Sequence, residues 1–296
     1  MRQFILGTDW WTDCDDAVAL RLLARAHKAG QIRLLGVVIN ACMEDSVRSA
    51  EGFLNLEGVR DVPLGIDRDA SDFGGKPPYQ KWLSQFAERN RSNSDAEDAV
   101  RLYRRLLAGV KENEKAELAE IGFMQAAAGL LQSGPDDLSP LSGVELVAEK
   151  VSKLWVMAGR WDLPIGRENN FCRAPRTSVG ADALVRLCPV PITFLGFEVG
   201  ADVITGAGLE KDDPLGTVLR LHGSENGRSS WDPMLVSMAL TGDEAAAGYS
   251  VVRGRASVDP LTGENRFVPD ADGPHAYVVK AHPDGYYADA INRKIR

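Results

Sequence analysis

The chain has 296 residues, 44% of them hydrophobic, enough for one large core or two small ones. A formal net charge of −8 with no basic stripe argues against nucleic acid as a partner and leaves small molecules open. No stretch approaches the ~20 apolar residues of a membrane helix, and the opening MRQFILGTDWW meets Asp9 too soon for a secretory segment, so the expectation is a cytoplasmic protein. Cys14, Cys42, Cys172 and Cys188 are scattered without a CxxC pair, and read as reduced thiols rather than a zinc site.

In chain order, short β-rich apolar runs at 4–8, 33–39, 117–122, 153–157 and 191–195 alternate with helical patterns at 16–29, 44–57, 96–111 and 125–132. Helices interleaved with buried-looking strands imply right-handed crossovers. The expected fold is α/β: an open, doubly wound, mostly parallel sheet with helices on both faces. Residues 67–93, rich in Gly, Pro, Asp and Ser (DRDASDFGGKPP), read as a long surface loop or lid. Beyond Ser250 the pattern predicts strands at 251–256 and 276–280 and a final helix at 288–295. No internal repeat or convincing linker divides the chain, so residues 1–296 are expected to form a single domain.

The most informative stretch is LGTDWWTDCDDAVAL, residues 6–20. Asp9, Asp13, Asp15 and Asp16 fall where the first strand ends and the first helix begins, which in an open α/β sheet is the ligand-binding crevice. Like charges this close raise one another's pKa or need a counter-charge, and a hard divalent cation with oxygen ligands supplies one. A helix N-cap would account for one Asp, Asp13 or Asp15, but not for four. The spacing is not that of an EF-hand, which needs a third ligand, a Gly and a terminal Glu. An aspartyl-nucleophile phosphatase pattern is also excluded, because Trp10 and Trp11 follow Asp9.

These residues resemble the signature DxDPGxDDAxA of the nucleoside hydrolase family, with a loop two residues longer and Gly7 in place of the first Asp. The resemblance implies a calcium site and a metal-binding general base at Asp9, or at Asp13 if the longer loop shifts the role. It implies Asp15 as a ribose ligand and Asp16 as a calcium ligand. Further along, NACMEDSVRSA resembles NxxLExxxRNA, whose Asn, here Asn40, binds ribose. Ile121-Gly-Phe-Met-Gln125 falls where the family has LGPLTN, implying the Gln125 carbonyl as a calcium ligand. Trp155-Val-Met157-Ala-Gly159 resembles IVxMGG, with Met157 as core or as a pocket contact; Glu168-Asn-Asn170-Phe resembles EFN, which holds sugar hydroxyls. Residues 61–63 and 191–196 resemble the DVPV and PITMVG strands, and Trp231-Asp232-Pro233 resembles HDP, whose Asp completes the metal site.

The resemblance thus implies hydrolysis of the N-glycosidic bond of purine ribonucleosides, through an oxocarbenium-like state, by a homodimer or homotetramer. Calcium would be held by Asp9, Asp16, Asp232 and Gln125; Asp15, Asn40, Glu168 and Asn170 would hold ribose. Trp231 replaces the family's His, a leaving-group acid in part of the family, and no other His stands clearly in its place; His222 is nearest in sequence. Stacking of Trp231, Trp10 or Trp11 on the leaving base is one substitute; core packing is the alternative for Trp10 or Trp11. Two other readings remain: a non-catalytic nucleoside- or ribose-binding protein that retains the calcium site, and a different metal hydrolase such as a phosphatase.

Overall fold

A computed structural model describes residues 1–296. The first half lays down β1 (Arg2–Thr8), α1 (Asp15–Lys28), β2 (Ile32–Ile39), α2 (Ser46–Leu56), β3 (Leu64–Ile66), α3 (Gln80–Leu83), β4 (Glu97–Asp98), α4 (Ala99–Ala108), β5 (Ala116–Glu120) and α5 (Gln125–Gln132). Next come α6 (Gly143–Lys150), β6 (Val151–Met157), α7 (Asn169–Cys172), α8 (Pro175–Leu187), β7 (Ile192–Leu195), α9 (Phe197–Gly200) and β8 (Ile204–Thr205). The last part holds α10 (Pro214–His222), β9 (Arg228–Ser229), α11 (Trp231–Thr241), β10 (Tyr249–Val258), β11 (Asn265–Pro269), β12 (His275–Lys280) and α12 (Asp284–Ile295).

Ten strands form one sheet in the order β11-β10-β12-β7-β6-β5-β1-β2-β3-β4. Every pairing from β12 to β4 is parallel; only β10 pairs antiparallel, with β11 and β12. β1 is buried along nearly its whole length, as a strand covered on both faces must be, and its run of Phe4, Ile5 and Leu6 alternates between the two layers. Phe4 and Leu6 join the core under α1, α2, α10, α11 and α12; Ile5 joins the one under α4, α5, α6 and α8. The open, doubly wound, mostly parallel architecture with helices on both faces is therefore present.

From β1 the chain winds outward through β2, β3 and β4, then returns to start β5 on the other side of β1. The loops after β1 and β5 thus leave a crevice between them, the switch point where ligands bind in such sheets. Gly122 permits a close approach there: a Cβ on it would lie 2.1 Å from the Asp9 backbone nitrogen.

Residues 67–93 pack beside the loop that follows β1 and carry their own short helix, α3. Phe73 and Tyr79 are buried; the Tyr79 hydroxyl donates to the carbonyls of Trp11 (3.0 Å) and Asp13 (2.6 Å), and the Gln80 amide donates to that of Trp10 (2.5 Å). The end of this segment is held by Glu51 of α2, which accepts from the backbone N–H groups of Glu88 (3.0 Å), Arg89 (2.7 Å) and Asn90 (2.9 Å).

Burial alone would raise the Glu51 pKa, but these donors, those of Asn90 and Arg89 foremost, hold it down at about 2. A carboxylate depressed below its ordinary value contributes stability above the ordinary value and loses it as pH falls toward the folded one. Glu51→Gln should therefore cost about 1–3 kcal/mol at neutral pH, since buried donors to a charged acceptor are left poorly matched. Denaturant titrations should show the gap between wild type and variant closing between the ordinary carboxylate pKa and about 2.

Candidate active site

At the carboxyl ends of β1, β5 and β6 lies a cavity of about 220 Å³. Its lining includes Asp9, Asp13, Asp15, Asp16, Glu168 and Asp232, with Ile121, Met157, Asn169, Asn170, Phe197 and Trp231. Asp15 and Asp16 open α1 and Asp232 sits in the first turn of α11, so two helix N-termini aim at the same point. This is a favourable place for negative charge. All of the carboxylates but Asp13 are buried.

The hydrogen bonds show which acids are already satisfied. Asp16 accepts from the Thr8 hydroxyl and from the Trp10 N–H (3.3 Å). Asp15 accepts from the Asp232 N–H (3.2 Å). Asp13 is gripped by the Arg228 guanidinium through two bonds, of 2.9 and 2.5 Å. Glu168 accepts from the N–H groups of Gly159 (3.0 Å) and Asn170 (2.9 Å). Only Asp13 has a cation beside it.

Titration behaviour follows. Burial, and then the charges of Asp16, Asp15 and Asp13, push Asp9 well above the ordinary carboxylate range. Burial and neighbouring aspartates do the same to Asp15 and Asp232. Burial raises Asp16 to about 6, with the Thr8 hydroxyl restraining the rise, and raises Glu168 to about 7. Burial acts on Asp13 too, but Arg228 overrides it and brings that carboxyl below its usual value.

The donor set fits a hard divalent cation. Carboxylate oxygens of Asp15, Asp16 and Asp232 lie within 4.8 Å of one another. Two oxygens at calcium's ~2.3–2.6 Å bond length can be at most about 5 Å apart. Asp9, which lines the same cavity, supplies a fourth carboxyl. Ile121 brings a main-chain carbonyl, which accepts a hydrogen bond of 3.2 Å from the Asn170 side chain.

The other expected site residues divide. Met157, Glu168, Asn170 and Trp231 line the cavity. Asn40 lies just behind it: its Oδ1 accepts from the Phe123 N–H (2.8 Å), while its Nδ2 is buried without a partner. Gln125 does not reach the cavity. It opens α5, and its amide donates to the Asn40 carbonyl (2.6 Å) and to Asp67 (3.2 Å); from this segment Ile121 lines the site instead.

Trp10 and Trp11 are not cavity residues either. Trp10 is fully buried against Phe53 and Tyr79, and donates through its indole to Ser49 (2.8 Å). Its φ of 44° is the one positive value among non-glycine residues, at the point where the longer loop must turn inward. Trp11 packs on Phe73 and Phe123 under Arg173. Trp231 does face the site. It stacks on Phe197 (5.4 Å between ring centres, 26° between planes) and donates to the Phe197 carbonyl (2.8 Å). Gly200 makes room, since a Cβ there would lie 2.6 Å from the Trp231 Cα.

Phe197 and Arg228 carry no sequence signal of their own: one follows an ordinary sheet strand, the other lies within a polar stretch, HGSENGRSS. His222 of that stretch approaches Asp13 at 3.9 Å and shares a 2.8 Å hydrogen bond with Ser224, outside the cavity.

No protein-family model and no curated protein matches the chain. Solved structures do. An inosine-uridine preferring nucleoside hydrolase from Bacillus anthracis aligns over 100% of this chain and 99% of its own, at 15% identity and a TM-score of 0.68. A plant nucleoside hydrolase aligns over 99% and 98%, at 14% identity and a TM-score of 0.72. A purine-preferring ribonucleoside hydrolase from Gardnerella vaginalis aligns over 99% and 98%, at 16% identity and a TM-score of 0.68. The chain has the nucleoside hydrolase fold.

Calcium should raise the melting temperature of the chelated protein, because a ligand held only by the folded state stabilises it by ~2.7 kcal/mol at a hundred times its Kd. Asp232→Asn and Asp16→Asn should each abolish most of that rise in a thermal melt. A rise unchanged in both variants would place the ion elsewhere.

Proposed function

We propose that the chain is a metal-dependent N-ribohydrolase, cleaving ribonucleosides to free base and ribose, with calcium as the metal and purine nucleosides among its substrates. One observation carries the reading. Carboxylates from the two ends of the chain, Asp9, Asp15 and Asp16 at one and Asp232 at the other, meet in a single cavity at the switch point of a nucleoside hydrolase fold.

Asp15, Asp16 and Asp232 are the residues placed to hold the cation, with Asp9 and the Ile121 carbonyl beside them. When bound, such an ion supplies positive charge that lowers the pKa of a water. Asp9 is the better general base, because Asp13 is committed to Arg228 while Asp9 has no cation of its own. Glu168 and Asn170, both buried and on the far wall, are suited to the sugar hydroxyls. The Asn170 amide nitrogen is bound by the Ile121 and Met157 carbonyls, which leaves its oxygen to accept. Asn40, whose buried Nδ2 has no partner, is a further candidate for a sugar hydroxyl. A homodimer or homotetramer in the cytoplasm is part of the same proposal, and four free thiols accord with a reducing compartment.

The replacement of a leaving-group acid by Trp231 favours a second reading, a nucleoside- or ribose-binding protein without turnover. A phosphatase has less support, since no Lys or Arg lines the cavity to hold a phosphate.

Turnover of inosine, uridine and a nitrophenyl riboside, with and without chelator, separates these readings. Metal-dependent release of base supports the hydrolase; sugar or nucleoside binding without release supports the second reading. Asp9→Asn should lower kcat by ~10²–10⁴ while keeping the calcium-induced rise in melting temperature. Loss of both together would make Asp9 chiefly a metal ligand.

A further inference from the structure

We propose that the preferred substrates are N-ribosides whose base carries a positive charge before cleavage, such as an N-ribosylpyridinium or an N7-alkylated purine riboside. This rests on the N-ribohydrolase reading and narrows it. Three features of the cavity agree on that chemistry.

The first is the absence of a committed proton donor for a leaving base. The lining holds no His, Lys, Tyr or Cys. Its acids are spoken for: Asp13 by Arg228, Glu168 as acceptor of two backbone N–H bonds, and the remainder by one another and by the cation they can share. A neutral purine leaves as a poor anion unless protonated. A quaternised base needs no such help. As C1′–N breaks, the bonding pair moves into the ring and neutralises its charge, and the base departs neutral. The attacking water forms C1′–O, and its proton passes to Asp9 and then to solvent. The sum is riboside cation plus water giving neutral base, ribose and one proton.

The second is charge. Six carboxyl groups line the cavity, and the cations set against them are Arg228 and the divalent ion they can share, so a cationic substrate meets acids that its own charge helps to ionise. The third is the aromatic pair at the wall. Phe197 and Trp231 are stacked, and each already has a guanidinium against it, Arg160 at 5.8 Å from the Phe197 ring centre and Arg228 at 5.3 Å from that of Trp231. Arg160 is paired with Asp162 and Arg228 with Asp13, so both guanidiniums are offset and the rings can still take a cationic base.

The test is a competition among nicotinamide riboside, 7-methylguanosine, inosine and nitrophenyl riboside with the metal-loaded protein. Both cations should exceed inosine in kcat/KM by at least tenfold. Binding gives a second readout: the N-methylnicotinamide cation should quench tryptophan fluorescence of the chelated protein at lower concentration than neutral nicotinamide. Trp231→Leu and Phe197→Leu should shrink both preferences. Asp13→Asn, which leaves Arg228 unpaired beside Trp231, should shrink them more than it slows nitrophenyl riboside. Inosine cleaved as well as the cations, or equal quenching by both probes, overturns the inference and leaves N-riboside hydrolysis standing. If one cation source alone is preferred, the ring system and not the charge sets selectivity, and the inference also falls. No cleavage of any riboside, nitrophenyl included, overturns the proposed function and this inference together.

Discussion

Like charge held out of water is the constraint on which the rest of this structure depends. Asp9, Asp15, Asp16 and Asp232 are buried at the end of a parallel sheet, where each ionised carboxylate is costly unless paired. The protein provides some relief: the Thr8 hydroxyl and Trp10 N–H for Asp16, the Asp232 N–H for Asp15, two helix N-termini behind the group. Hydrogen bonds and helix dipoles contribute partial charges, not whole ones. Three carboxylates within reach of one ion, with no Lys or Arg among them, are therefore best understood as a cation's coordination shell. Asp9, which lines the same cavity with no Lys or Arg hydrogen-bonded to it, is the carboxyl that the proposed function assigns to a water's proton.

Much of this was legible in the residues, for reasons that are local. Four aspartates within eight positions at a strand-to-helix junction need no long-range information, and strands buried on both faces announce themselves as unbroken apolar runs such as Phe4-Ile5-Leu6. The predicted 33–39, 117–122 and 153–157 strands differ from β2, β5 and β6 only at their ends. The pairing of Asp232 with the N-terminal cluster was legible only through resemblance, since nothing near Asp232 marks it as more than a helix start. The resemblance implies the Gln125 carbonyl as a ligand; in the structure Gln125 opens α5, and Ile121, just past the end of β5, is the residue of this segment that lines the cavity. Phe197 and Arg228 were invisible, because their role comes from crossing points of distant elements.

For Trp10 and Trp11 stacking on a ligand and core packing were both open, and the structure shows packing. Two adjacent aromatics in a metal loop suggested stacking on a ligand, yet both are packed away from the cavity. The reason is geometric. A loop two residues longer than the family pattern must put its extra chain somewhere, and here it turns inward at Trp10, whose indole fills the space between Phe53 and Tyr79. Tyr79 and Gln80 then hold the loop's carbonyls from outside, so the 67–93 segment acts as a brace for the site.

The longer loop and the missing histidine are connected through one side chain. The loop carries Asp13 to the cavity rim, where a lone carboxylate would add to the repulsion around Asp9 and Asp15. Arg228, from the short antiparallel β8–β9 pair, neutralises it with two hydrogen bonds and lies against Trp231. A protonatable histidine at position 231 would stand next to that guanidinium, which would lower its pKa and leave less of it protonated to donate. A tryptophan there gains instead from the same neighbour, since an aromatic face attracts a cation. Departure from the family pattern at one end of the chain thus favours departure at the other, and the two meet where Arg228 joins Asp13 to Trp231.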